Sequence, residues 1–168
     1  MCISHIGIPV QDGHLDKMVD WYLTVLAPLG YKKLVDLRPA YPVVGLGEKY
    51  ADFWLTNTPT FKPSPDEKLH IAFYSRCRQQ IRDFHAAAMK IGSKDNGGPG
   101  LRPHYASTYY GAFVFDPEGR NVEVHSVSPG FWGEPTQRNI LMSALGVAAA
   151  VGISYFANLG GYLGSWAM

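Results

Sequence analysis

The chain repeats itself, and the repeat limits what it can fold into. Ser4-His5-Ile6-Gly7-Ile8 and Leu69-His70-Ile71-Ala72-Phe73 share the pattern x-His-Ile-small-apolar. Each is followed by a segment of helical periodicity, one beginning at Leu15 and the other at Arg78. Asp20-Trp21 in the first matches Asp83-Phe84 in the second, and Leu26 matches Met89. Each segment ends at a glycine, Gly30 or Gly92, the residue a helix C-terminus favours. Strand-like pieces come next: YKKLVDLR, PVVGLG and YADFWLT in the first half; LRPHYAS, YYGAFVFD and RNVEVHS in the second. The last two are joined by Asp116-Pro117-Glu118-Gly119, a turn sequence. Repeats of this kind mark supersecondary units that bury a core only together. The pattern predicts an α+β fold of two βαβββ units, at 1–60 and 68–128, joined by the proline-bearing TPTFKPSPDEK.

Strand periodicity assigns faces. Ile6 and Ile8 share one face of the first strand and His5 and Gly7 the other. In its repeat Ile71 and Phe73 oppose His70, Ala72 and Tyr74. In the last strand Val122 and Val124 oppose Asn121, Glu123 and His125. With the apolar faces under the helices, His5, His70 and Glu123 come from three strands onto the other side of the sheet. Two imidazoles and a carboxylate in such a set suit one divalent metal with open coordination positions.

Composition excludes several classes. Apolar residues make up 46% of the 168 and charged residues 17%, a folded, globular balance. The net charge of +1, without basic clusters, predicts no nucleic-acid partner. Cys2 and Cys77 have no zinc-finger spacing and read as free thiols of a reducing compartment. The N-terminus lacks a secretory leader, so a cytoplasmic domain is expected. Gly92, Gly97, Gly98 and Gly100 do not form a phosphate loop and read as a flexible connection beside the site.

These features resemble the vicinal-oxygen-chelate superfamily (glyoxalase, bleomycin-resistance protein and extradiol dioxygenase). The likeness rests on the paired βαβββ units, a His in the first strand of each, and GAFVFDPEGRNVEVH as the closing hairpin with its Glu. It covers about three quarters of the chain. More narrowly, DNGGPGLRPHY followed by YYGAFVFDPEG is similar to an uncharacterised glyoxalase-like branch, which brings no reaction with it. The resemblance implies a half-open barrel around the metal, with His5, His70 and Glu123 as ligands to iron, zinc, nickel or manganese. The superfamily's second ligand position falls on Trp54, which cannot bind a metal. Asp52 would need a register shift to replace it. Glyoxalase I uses a glutamate there, so Trp54 speaks against lactoylglutathione lyase activity.

Iron with these ligands would activate dioxygen; the other metals would polarise a carbonyl or enolise a substrate. Glu123, Tyr109 and His125 are the candidates for the chemistry. Trp54, Arg102, His104, Tyr105 and Tyr110 are the candidates for substrate contact. A metal-dependent lyase, isomerase or ring-cleaving dioxygenase acting on a small oxygenated molecule is one reading. A metal-free protein that sequesters a small molecule, of the bleomycin-resistance type, is the other. Related folds pair units within a chain or between chains, so a homodimer is compatible.

Past a linker at 129–138, residues 139–168 contain no charged side chain. Ile140 to Phe156 approaches the ~20 apolar residues that cross a bilayer. Arg138 at its start and Trp166 and Tyr162 beyond it suit a tail anchor holding the domain in the cytosol. A helix packed on the protein is the alternative.

Overall fold

A computed structural model of the chain describes residues 3–64 and 69–129. The linker from 130 onward, the apolar tail at 139–168, and Cys2 lie outside the described residues. Among the described residues no helix is long and apolar enough to cross a membrane.

Each half is a βαβββ unit. In the first, β1 (Ile6–Gln11) leads to α1 (Leu15–Leu26), then to β2 (Lys32–Asp36), β3 (Val43–Gly47) and β4 (Phe53–Thr58). In the second, β5 (His70–Tyr74) leads to α2 (Arg78–Lys90), then to β6 (Asp95–Leu101), β7 (Tyr110–Phe115) and β8 (Asn121–Ser126). The sheets are ordered β1-β4-β3-β2 and β5-β8-β7-β6, so the first and last strand of each unit run parallel, side by side.

Alternation decides which side of each sheet is covered. Ile8 and Val10 are buried while His5 and Gly7 are exposed; Ile71 and Phe73 are buried while His70, Ala72 and Tyr74 are exposed. The helices supply the complementary stripes. α1 buries Leu15, Met18, Val19, Tyr22, Val25 and Leu26, and α2 buries Ile81, Phe84 and Ala88 at helical spacing. Gly30 (φ 85°), after a short 3-10 turn at Ala27–Leu29, and Gly92 (φ 76°) close the helical segments in the left-handed conformation. The two units share one core. Phe53 and Phe73 meet edge to face at 5.3 Å, and the Trp21 indole donates to Ser93 Oγ at 2.9 Å.

One segment departs from the sequence-based expectation. The second strand of the second unit is β6, which contains Gly97, Gly98 and Gly100; LRPHYAS only begins at its end, with His104 and Tyr105 in the following turn. The glycine segment is therefore sheet, not a flexible connection. Its pairing with β7 is irregular between Asp95 and Gly97 and again between Gly97 and Gly100. Glycine-rich sequence has little intrinsic strand preference, so this strand is imposed by its neighbours.

The turn of the closing hairpin ties the units together. Asp116 Oδ1 accepts from the backbone N–H groups of Glu118 and Arg120 at 2.9 Å each, and Gly119 (φ 88°) completes the turn. Arg120, 1% exposed, donates to Asp116 Oδ2 at 3.0 Å, to Glu118 Oε2 at 2.7 Å and to the Pro9 carbonyl. The first unit answers with Tyr22 Oη, which donates to Asp116 at 2.9 Å, and Gln11 N–H, which donates to Glu118 at 2.9 Å. Burial, then the Asp116 charge, hold the Tyr22 phenol protonated well above its ordinary range. Arg120→Met would leave two buried carboxylates without their cation, an uncompensated burial that costs ~3–5 kcal/mol. Urea denaturation should show that loss with the slope of the transition unchanged.

Candidate functional site

The open face of the second sheet carries a polar constellation centred on Glu123. Parallel pairing sets Ala72 opposite Glu123 and His70 opposite Asn121. Glu123, 3% exposed, is a buried carboxylate and needs partners. His70 Nε2 lies 2.8 Å from its Oε2, and Tyr109 Oη donates to its Oε1 at 2.6 Å. Asn96 Nδ2 donates to Asn121 Oδ1 at 2.9 Å, and Asn121 Nδ2 stands 3.4 Å from His70 Nδ1. If the Asn121 amide donates to Nδ1, His70 carries its proton on Nε2 and donates it to Glu123. The result is a chain Asn96–Asn121–His70–Glu123–Tyr109.

Gly111 makes room for this chain. A Cβ there would stand 3.1 Å from Glu123 Oε1 and 3.4 Å from Tyr109 Cε1. Tyr109 is stacked on His125, with centroids 4.7 Å apart and planes within 3°. Tyr105 lies beside Tyr109 and His104 beside Tyr105, at 5.1 and 4.2 Å. Phe113, directly opposite Glu123 in register, forms the floor, with the His70 ring edge-on at 6.2 Å and the Arg102 guanidinium at 5.4 Å. Burial first, and the Glu123 carboxylate second, hold the Tyr109 phenol well above its ordinary value of 10.0.

Of the residues picked from sequence, the fold thus gathers His70, Glu123, Tyr109, His125, Arg102, Tyr105 and His104. Tyr110 falls on the opposite side, with Ala112 and Val114, and its ring lies under the Arg78 guanidinium at 4.9 Å. It contacts the helix layer and not the open face. Trp54 occupies the position in the first sheet that Glu123 holds in the second, because β4 pairs Trp54 with Gly7 as β8 pairs Glu123 with Ala72. No register shift brings Asp52 there; it precedes β4, beside Tyr31. The Trp54 indole lies across Gly45 and donates to the Ala51 carbonyl at 3.0 Å.

His5 is exposed and accompanied by Ser4 Oγ at 2.8 Å. It borders a cavity of about 530 Å³ with Tyr31, Glu48, Asp52, Tyr74 and Arg76, whose lining includes neither His70 nor Glu123. Among the described residues no three ligating side chains of one chain gather closely enough to hold a metal. The His70–Glu123 spacing of 2.8 Å does suit two donors of one ion, since ligands ~2.1 Å from a metal stand about 3 Å apart when adjacent. One chain therefore offers two of the three expected donors together and places the third elsewhere. Sequence reading missed Asn96, Phe113 and Gly111.

No family model and no curated protein matches the chain. Solved structures do. A glyoxalase/bleomycin resistance protein from Albidiferax ferrireducens T118 is 21% identical, with a TM-score of 0.56 over 75% of this chain and 98% of that one. A glyoxalase/dioxygenase from Nostoc punctiforme is 20% identical, with a TM-score of 0.54 over 74% and 89%. The fosfomycin resistance protein FosX from Mesorhizobium loti is 17% identical, with a TM-score of 0.53 over 80% and 94%. The chain has the glyoxalase/bleomycin resistance protein/dioxygenase fold, and the resemblance to the vicinal-oxygen-chelate superfamily holds at that level.

The Tyr109–Glu123 contact has a pH signature. The folded phenol keeps its proton above the ordinary tyrosine range. Its contribution to stability is complete below that range and is lost as pH rises through the folded value. The stability gap between wild type and Tyr109→Phe should stay flat from neutral pH up to the ordinary tyrosine range and narrow beyond it. Ultraviolet titration of Glu123→Gln should show one tyrosine ionising at lower pH than in wild type.

Proposed function

We propose that the chain is a metal-dependent enzyme acting on a small oxygenated molecule, as a lyase, isomerase or ring-cleaving dioxygenase. The carrying observation is the buried Glu123 carboxylate held between His70 and Tyr109 on an open sheet face. His70 and Glu123 would hold the ion, with His5 as the third ligand. A divalent ion there would supply Lewis acidity or, as iron, dioxygen activation.

The protein's own groups have separable tasks. The Tyr109 phenol, kept protonated, is a hydrogen-bond donor for a substrate oxygen that gains negative charge. With Oε2 assigned to the ion, Glu123 would accept a substrate proton at Oε1, the oxygen now bonded to Tyr109. His125, stacked on Tyr109, orients that ring, and Tyr105 and His104 wall the approach.

Because one chain keeps His5 apart from His70 and Glu123, the reading requires a second copy whose His5 meets this chain's pair. The exposure of Ile3 at 77% and Ile6 at 40% beside His5 supports a covered surface there. The alternative, a metal-free sequestering protein, is favoured by Trp54 at the remaining ligand position and by the aromatic walls.

Elemental analysis of the full chain, paired with its mass in solution, tests the proposal. A dimer with about one metal per chain is expected, with metal lost in His70→Ala and Glu123→Ala and weakened at least ~10-fold in His5→Ala. Mixing unfolded His5→Ala and Glu123→Ala chains and refolding them together should restore metal, because half of the sites in a mixed dimer regain all three ligands. Metal-free wild type after reconstitution with iron, zinc, nickel and manganese would leave the sequestering reading. Full metal in a monomer would remove the shared site.

A further inference from the structure

The glycine-rich strand β6 has no reason in sheet energetics, since glycine weakens a strand interior and commonly marks a close approach. What approaches is Arg102. A Cβ on Gly100 would stand 2.8 Å from Arg102 Nη1, and one on Gly97 would stand 3.4 Å from Nη2 and 3.3 Å from the Phe113 ring. The guanidinium therefore lies in a trough that bare backbone leaves open. Nη2 donates to the Gly98 carbonyl at 2.8 Å and Nη1 to the Leu101 carbonyl at 3.2 Å, while the Phe113 ring lies beneath at 5.4 Å.

Among the described residues the charge has no acidic counterpart. Arg38, Arg76 and Arg120 are each paired with carboxylates. Among the described residues Arg102 enters no ion pair, and its hydrogen bonds go to neutral carbonyls. A guanidinium has five N–H donors in a planar fork suited to two oxygens of an anion. This one is oriented by the strand before any ligand arrives. It shares the Phe113 floor with His70, opposite Glu123.

We infer that Arg102, seated in the glycine trough of β6, binds the oxyanion of the substrate, so that the substrate class is a small carboxylic or phosphoric acid. The acid group sits on Arg102, and the neighbouring oxygenated carbon faces His70, Glu123 and Tyr109. The placement of that reacting end rests on the function proposed above; the anion site does not.

Calorimetric titration of the full-length protein with benzoate, phenyl phosphate and neutral benzamide tests this. One or both acids should bind more tightly than benzamide, and the stronger identifies carboxylate or phosphate as the preferred group. Arg102→Gln should weaken the acid by about tenfold or more and abolish the preference, and Arg102→Lys should keep part of it. Gly100→Ala should push the guanidinium out of the trough and weaken the acid similarly. Gly98→Ala, whose added carbon would meet nothing nearer than His85 at 4.0 Å, should not. Melting curves establish that each variant is folded, and should Gly100→Ala unfold, Arg102→Gln decides alone. Equal binding of acid and amide, unchanged acid affinity in Arg102→Gln, or no acid binding at millimolar concentration overturns the inference. Metal content should be the same in Arg102→Gln and wild type. Failure of the metal experiment with acid preference intact would therefore overturn the enzyme reading and leave this one standing.

Discussion

Everything in the described fold depends on a charge that has been taken out of water. Arg120 and its two carboxylates belong to the closing hairpin of the second unit, but further hydrogen-bond partners come from β1 and α1 of the first. A buried guanidinium is tolerable only when its oxygens are supplied, and a buried carboxylate only when its donors are. The hairpin can desolvate fully once the first unit is in place. The repeat is therefore not two free-standing halves. The same clamp fixes where β8 begins, one residue after Arg120, and so fixes the height of Glu123 on its sheet.

The open face of the second sheet meets the same physical demand differently. Glu123 is nearly as buried as Arg120, but its donors are a phenol and an imidazole and not a permanent cation. A phenol and an imidazole can each gain or lose a proton, which a guanidinium does not do. Asn96 and Asn121 extend the chain to β6, so the strand that seats Arg102 also orients His70. Arg102 and His70 also lie against the same Phe113 ring.

How much of this could be read from the sequence follows from what periodicity can carry. The repeat and the two-residue alternation were enough to put His5, His70 and Glu123 on the uncovered faces and Ile8, Phe73, Val122 and Val124 beneath the helices. Alternation says nothing of distance between sheets, so it could not reveal that His5 borders one cavity while His70 bonds to Glu123 elsewhere. β6 was invisible because strand preference lies in side chains that glycines lack. Tyr109 and Tyr110 are adjacent and chemically identical, and without the strand's starting residue nothing decides which faces the site. The burial of Arg120, which opens the piece RNVEVHS, left no mark in the sequence, because it depends on Pro9, over a hundred positions away.

The two sheets also fill one corresponding volume from opposite strands. In the second, an aromatic ring rises from β7 at Phe113, and its cross-strand partner on β8 is Glu123. In the first, the ring rises from β4 at Trp54, and its cross-strand partner on β3 is Gly45, where a Cβ would strike the indole at 2.9 Å. Bulk and gap have traded places across the pair. A carboxylate at position 54 would thus inherit a hollow instead of a floor, and the first half could become a chemical mirror of the second only through paired changes at 45 and 54. The duplication has settled into a division of labour that single substitutions do not readily reverse.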